Sequence, residues 1–496
     1  MLKRILLASC AIVLPNAVYA QGGHLVQADN WTVRANWDLS SDDAYLGSRA
    51  GCFESLARID FEAKLEPGLA TGWEQTSPTT WDFAIREGVT FHDGTALDAE
   101  TVANALNNRL SATVPARAFS PTAITSVEAS GPMTVTITTA EELVTLPSQM
   151  ASPATTILSP AAYEGGEVNP IGTCTGPFEI TEVDPNQYVS MVRFDDYWGT
   201  PATLDSGQIR FIPDASTRGT MARTGEAQIV RLVPHSMVAQ LQGDPGLAIA
   251  EVQAPRIAEM LINTSRPPFD DVRVREALRM AIDTTGIAAA VYEGLATPAS
   301  GPFRAGEPWA PDIAPTPADL EAARALFAEA GVDPASLNIT LLGYTAKTEF
   351  NDVAVIIQAM LGELGINVDL RIAEYAAIEP DMLSGNYDLA LMSRGYLTDV
   401  PEPIGFLTAD YGCEGSFNIT QYCDPEFDAL LDEAGATADE AGRYAIYAEA
   451  AQKVYDEALT VFLVNETLYD VASSAVVNYK PHPLNYYLFT PELGLQ

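Results

Sequence analysis

Residues Gly51–Leu110 read GCFESLARIDFEAKLEPGLATGWEQTSPTTWDFAIREGVTFHDGTALDAETVANALNNRL. The informative positions are Glu54, Leu56, Leu69, Ala70, Trp73, Phe83, Ile85, Arg86, Gly88, Val89, Phe91 and Gly94. Gly94 is expected at a turn that needs a backbone without Cβ. Trp73 and Trp81 are expected as core aromatics, and so is Trp198 further on. His92, in the run FHDG, is expected as a turn residue with its ring hydrogen bonds satisfied rather than as a metal ligand.

Upstream, residues 1–20 have the build of a secretory signal. Lys3 and Arg4 precede the apolar run Ile5–Leu14, and Val18-Tyr19-Ala20 offers a small-residue cleavage site. Leu7-Ala8-Ser9-Cys10 has the look of a lipid-attachment box, but the apolar stretch before Cys10 is too short, so a cleaved and soluble mature chain is expected. No later run has eighteen uncharged apolar residues, the length a membrane span needs.

The formal charge is −39. Such a field repels nucleic acid and anionic membranes, which excludes a nucleic-acid binder. It suits a hydrated surface in a saline exterior, with attraction of a cationic ligand as the second reading. An apolar fraction of 47 % supports large cores and rules against disorder.

The mature chain keeps Cys52, Cys174, Cys413 and Cys423. An even number in an exported protein suggests disulfides. Cys413 and Cys423 bracket EGSFNITQY, so one pairing closes a short ring and leaves Cys52 with Cys174; three connectivities remain formally open. Zinc favours closely spaced ligands of the Cys-x-x-Cys kind, and this chain has none.

The first half reads as mixed and strand-rich. Strands are expected in HLVQADNWTVR, Tyr188–Gly199 and Gln208–Pro213, with a hairpin over Val127–Thr138 around Gly131-Pro132. In the second half, Asn338–Tyr344 reads as a strand. Asn351–Leu364 reads as a helix striped by Val353, Ile356, Ile357, Met360, Leu361 and Leu364. Gly365 suits a helix C-terminus, and Ile366, Val368, Leu370 and Ile372 alternate as a strand. That strand–helix–strand order calls for a parallel sheet, which Tyr387–Ser393 would join. Before it, Thr316 is expected to cap a helix with Pro317 in its first turn and Asp319 three residues past the cap. Its stripe is Leu320, Ala323, Leu326, Phe327 and Ala330, and Gly331 ends it. A long helix over Asp439–Ala458 leads into a last strand. The proline-rich loop Ser300–Leu320 is expected on the surface, or as a cleft rim exposing Trp309.

The opening stretch resembles the signature of the peptide/nickel family of extracytoplasmic solute-binding proteins, family 5, the capture subunits of ABC importers. Its apolar helix with Glu-x-Leu, its Leu-Ala-x-x-Trp and its Phe-x-Leu-Arg-x-Gly-Val-x-Phe-x-x-Gly fall on the positions named above. Four more blocks follow in the family's order. They are NPIGTCTGPFEI (Asn169–Ile180), which departs by inserting Cys174 and Thr175, NQYVSMVRFDDYWG, INTSRPPFDDVRVREALRMAID (Ile262–Asp283) and SRGYLTDVPEPIGFL (Ser393–Leu407).

The resemblance implies an α/β, two-lobed periplasmic binding protein of the class II type, in the cluster of dipeptide and oligopeptide binders, with an extra inserted subdomain. Residues 21–65, 180–254 and 465–496 would form the first lobe and 66–179 the insert. Residues 255–464 would form the second lobe, with crossings near Gln253–Leu261 and Val464–Tyr469. A ligand would be enclosed between the lobes.

The resemblance also implies site residues. Asp399 stands where peptide-binding members pair an Asp with the ligand's α-amine, a charge-assisted bond that is strong when water is excluded. Tyr396 replaces the family's Trp and could offer an aromatic face. Arg394 could meet a carboxylate. Arg117 falls near an Arg that nickel-type members use for a carboxylate-bearing chelate. Asp42, Asp43 and Tyr45 lie where the family's first loop faces the cleft. The implied function is capture of a small amine-bearing solute, a short peptide or peptide-like compound, by a periplasmic monomer that hands it to membrane permease subunits, without cofactor or nucleic acid. Within the family a nickel or metal chelate is the rival, although no histidine lies between Gly395 and Tyr422. A secreted hydrolase is the rival of another class. No Gly-x-Ser-x-Gly, His-Glu-x-x-His or phosphate-cradling glycine run supports it, and GYTAKT lacks the second glycine.

Overall fold

A computed structural model describes residues 22–116 and 119–496. Residues 1–21, where the secretory signal is expected, and Arg117 lie outside the described residues.

The backbone of the molecule is an 11-stranded sheet among the described residues. From one edge it runs Asn367–Ala373, Asn338–Tyr344, Leu389–Gly395, Leu247–Ile262, Thr460–Ser473, Ile229–Val230, His24–Asp29, Ser206–Phe211, Tyr188–Arg193 and Phe178–Asp184. The short strand Thr297–Pro298 pairs beside Thr460–Ser473.

One flank is built as the alternation of the sequence predicts. Asn338–Tyr344 and Asn367–Ala373 are parallel neighbours, joined by the helix Phe350–Gly362. Leu389–Gly395 adds in parallel on the other side. The helix buries Val353, Ile357 and Leu361 against these strands, which is the apolar side of its stripe. Gly365 takes φ +90°, a conformation that a side chain disfavours, and so lets the chain turn straight into the next strand.

The two central strands run the length of the sheet. Leu247–Ile262 and Thr460–Ser473 pair antiparallel from Leu247/Ser473 to Leu261/Thr460. Their register shifts between Gln253 and Ile257. Pro255 sits in that interval and has no N–H to give to a ladder, so the pairing is interrupted there.

Residues between Ala70 and Thr139 form a separate four-stranded antiparallel sheet, with the expected hairpin as Ile124–Gly131 and Thr134–Thr139. The helix Ala99–Leu110 packs on it. Asp98 starts this helix with a capping box: its carboxylate takes the Thr101 N–H, and Thr101 Oγ1 accepts from the Asp98 N–H.

The opening motif is stapled by Glu54. Its carboxylate accepts from Thr175 Oγ1 at 2.8 Å, Tyr197 OH at 2.9 Å and Trp198 Nε1 at 2.9 Å. The Arg86 guanidinium lies 4.4 Å from the centre of the Trp198 ring. Three separate blocks of the sequence therefore meet at one half-buried carboxylate. Trp81 is buried, whereas Trp73 and Trp198 are only partly so.

Two expectations need correction. Thr316 does not cap the helix after the proline-rich loop. The helix is Leu320–Ala330, and Asp319 caps it through the N–H groups of Glu321 and Ala322. An aspartate carries a full charge to the helix dipole, and the Thr316 hydroxyl is occupied by Tyr455 OH at 2.7 Å. Trp309 is not an exposed rim aromatic. It is partly buried, 5.3 Å from Tyr444, with Nε1 bonded to Glu307. Both disulfides, Cys52–Cys174 and Cys413–Cys423, are formed.

Candidate ligand-binding site

The strand Leu389–Gly395 leads directly into the segment Tyr396–Val400. Gly395 is needed there: a Cβ on it would collide with Thr398 Oγ1. The turn is closed by Thr398 N–H on the Gly395 carbonyl. The Thr398 carbonyl accepts from two tyrosines distant in the chain, Tyr45 OH at 3.0 Å and Tyr486 OH at 2.7 Å. Tyr45 comes from the helix Asp43–Arg49 and Tyr486 from the C-terminal segment, and their rings lie 5.7 Å apart.

Asp399 follows this clamp. Its Oδ2 accepts from Arg394 Nη2 at 3.1 Å. Arg394 is held from behind by Asp410 on the helix Pro403–Tyr411, through Nε at 2.8 Å and Nη2 at 2.8 Å. Burial by itself would lower the Arg394 pKa, but Asp410 and Asp399 raise it above its ordinary value, so the cation persists. Arg394 is thus a bidentate, fixed support, and its Nη2, shared between Asp410 and Asp399, orients the Asp399 carboxylate.

Under this pair lies Glu259. It is buried, and neither of its carboxylate oxygens has a hydrogen-bond partner among the described residues. Burial, and then Asp410, push its pKa well above the carboxylate range, with Arg394 acting in the other direction. Sequence reasoning missed Glu259, although an acid inside the apolar run IAEMLI was a visible signal. It also missed Asp410, which lies in helix sequence with no distinguishing pattern.

The remaining expected residues are placed as follows. Tyr396 is buried, 5.2 Å from Phe303, and its hydroxyl donates to Glu307 Oε1 at 2.7 Å. With its polar end satisfied the ring faces the core, so in this conformation it presents no aromatic face to a ligand. Asp42 is exposed and precedes the helix Asp43–Arg49; its side chain makes no capping bond. Asp43 does the organising work of the first loop. Its carboxylate takes the N–H groups of Arg34 at 3.0 Å, Ala35 at 2.9 Å and Trp37 at 3.0 Å. The structure therefore brings Tyr45, Arg394 and Asp399 together around Thr398 and sends Tyr396 inward. His24, His92, His235 and His482 bond to Ser206, Gly176, Glu349 and Ile59, all away from this segment.

The comparisons with known proteins agree on one family. The model for bacterial extracellular solute-binding proteins, family 5 middle, matches residues 64–418. The glutathione-binding protein GsiB of Shigella dysenteriae serotype 1 (strain Sd197) is 29 % identical, over 96 % of this chain and 93 % of its own. Among solved structures, DppA from Helicobacter pylori in complex with the peptide STSA superposes with a TM-score of 0.84 at 23 % identity, covering 96 % of this chain and 99 % of that one. NikA from Staphylococcus aureus in complex with Ni(L-His)2 gives 0.83 at 24 %, covering 96 % and 100 %. At such identities the two structures speak to the fold.

Proposed function

This chain belongs to family 5 of the bacterial extracellular solute-binding proteins, non-enzymatic capture subunits of ABC importers, and from that premise we propose that it binds a small amine-bearing solute, a short peptide or peptide-like compound. The mixed α/β periplasmic-binding-protein fold with its extra antiparallel subdomain is that of the relatives. The family delivers its ligands to membrane permeases. We place this chain in the periplasm, with the two halves of the sheet as lobes that close about the register break at Gln253–Ile257.

The observation that carries the reading is the position of Asp399. It follows the Thr398 carbonyl, which Tyr45 and Tyr486 reach from distant parts of the chain, and Arg394 orients its carboxylate. A cationic amine enclosed there meets a preorganised acceptor away from bulk water. The relatives support the choice of cargo: one is a glutathione-binding protein and another holds the peptide STSA, and both of those ligands are peptides.

The test is calorimetric titration of the purified chain with glutathione and with di- to pentapeptides, each also as its N-acetyl derivative. N-acetylation and the substitution Asp399→Asn are each expected to weaken binding by tenfold or more, about 1.4 kcal/mol. Equal affinity for a free and an acetylated peptide would overturn the amine reading without touching the family.

A further inference from the structure

Among the described residues, one group brings three potential metal donors together: Cys52 Sγ, Cys174 Sγ and a ring nitrogen of His92, all within 4.8 Å of one another. They come from three separate places in the sequence. Cys52 follows the helix Asp43–Arg49, His92 lies in the turn before Gly94, and Cys174 lies in the loop before the strand Phe178–Asp184. In this structure the two sulfurs are bonded to each other.

The third donor is already prepared. His92 Nε2 lies 2.9 Å from the Gly176 carbonyl, which can only accept, so Nε2 carries the proton. Nδ1 therefore presents its lone pair, and it is buried without a hydrogen-bond partner. A backbone carbonyl on the far nitrogen is the arrangement that fixes a metal-binding imidazole in its tautomer. The Pro170 carbonyl faces both sulfurs, at 3.8 Å from Cys52 and 3.4 Å from Cys174, and can accept from either thiol once the bond between them is cut.

We propose that Cys52, Cys174 and His92 form a latent site for a zinc-type divalent cation, opened when a dithiol reduces the disulfide. The dithiol gives two electrons and two protons to the S–S bond and leaves as its own disulfide, producing two cysteine thiols. The cation then forms two M–S bonds and releases both protons to solvent, while His92 Nδ1 donates its lone pair and water completes the tetrahedron. The sulfurs part from bonded contact to about 3.8 Å, the separation set by two bonds of about 2.3 Å in a tetrahedron. Both cysteines lie outside helices and strands.

The full mature chain carrying Cys413→Ser and Cys423→Ser isolates this pair. It is reduced with dithiothreitol, freed of reductant, and titrated with Co²⁺ beside its oxidised form. The reduced protein is expected to bind one equivalent with the thiolate charge-transfer and visible bands of a tetrahedral site, and the oxidised protein none. His92→Ala is expected to lose at least tenfold in Co²⁺ affinity. Zn²⁺ is expected to protect both thiols from iodoacetamide and to raise the melting temperature of the reduced chain. No stoichiometric binding, binding indifferent to His92→Ala, or a reduced chain that Zn²⁺ neither protects nor stabilises would each overturn the proposal.

Discussion

His235 Nδ1 lies 2.9 Å from Glu349 Oε1, a contact between residues 114 apart in the chain. His235 opens the helix Gly243 ends, His235–Gln242, while Glu349 precedes the helix Phe350–Gly362. Lys347 Nζ adds a contact of 2.9 Å to Glu466, in the strand Thr460–Ser473 that both halves share. Burial would raise the Glu349 pKa, but Lys347, then His235, holds it well below the carboxylate range. The pair ties the start of the helix His235–Gln242 to the start of the helix Phe350–Gly362. Glu349→Gln is expected to loosen the closed form and weaken ligand binding by threefold to tenfold, about 1 kcal/mol. Small-angle scattering of the ligand-free variant should show a larger radius of gyration than the parent.

Glu54 should behave as a structural residue. Glu54→Ala strips the acceptor from Thr175, Tyr197 and Trp198 at once. A loss on the order of 3 kcal/mol is expected in urea unfolding, since buried donors left without partners are expensive. Ligand affinity of the folded fraction should not change.

Asp29 should supply an acid-sensitive part of the stability. Burial would raise its pKa, but Arg231 at 2.7 Å and Arg49 bring it down to about 2 from an ordinary 3.8. A depressed carboxylate stabilises the fold above its unfolded pKa and loses that contribution as pH falls toward its folded pKa. The contribution is about 2 kcal/mol at neutral pH. Urea unfolding of wild type and Asp29→Asn should show a stability gap at pH 7 that is unchanged at pH 5 and narrows from about pH 4 down to about pH 2.

The two disulfides should differ in worth. Cys413–Cys423 spans 10 residues and Cys52–Cys174 spans 122. In the chain-entropy model these close loops worth about 2.7 and about 4.9 kcal/mol. The double serine variant of the long-range pair is therefore expected to melt at the lower temperature, by calorimetry at equal protein concentration.

Much of the architecture was open to reading because it is local. The strand–helix–strand order of Asn338–Ala373 follows from apolar spacing and one glycine, and both are properties of neighbouring residues. Helix starts were less secure. Thr316 and Asp319 are both good caps by residue type, and the choice fell to Tyr455, which is far away in the chain and occupies the threonine. The candidate site divided in the same way. Asp399, Arg394 and Tyr45 could be named from an ordered set of motifs, but Tyr396 turned inward because Glu307 satisfies its hydroxyl. Asp410 and Glu259 escaped notice because their meaning depends on Arg394 standing between them.

By itself the order of residues determined the family and the parallel flank of the sheet. Each rests on side-chain type and spacing along a short run, where covalent connection keeps neighbours within reach. Tertiary structure alone decided that Glu54 would anchor three distant blocks, that His235 would meet Glu349, and that a ring nitrogen of His92 would lie within 4.8 Å of the Cys52 and Cys174 sulfurs. Those meetings join residues far apart in the chain, and only the packed arrangement of the sheet and its loops brings their polar atoms within bonding distance.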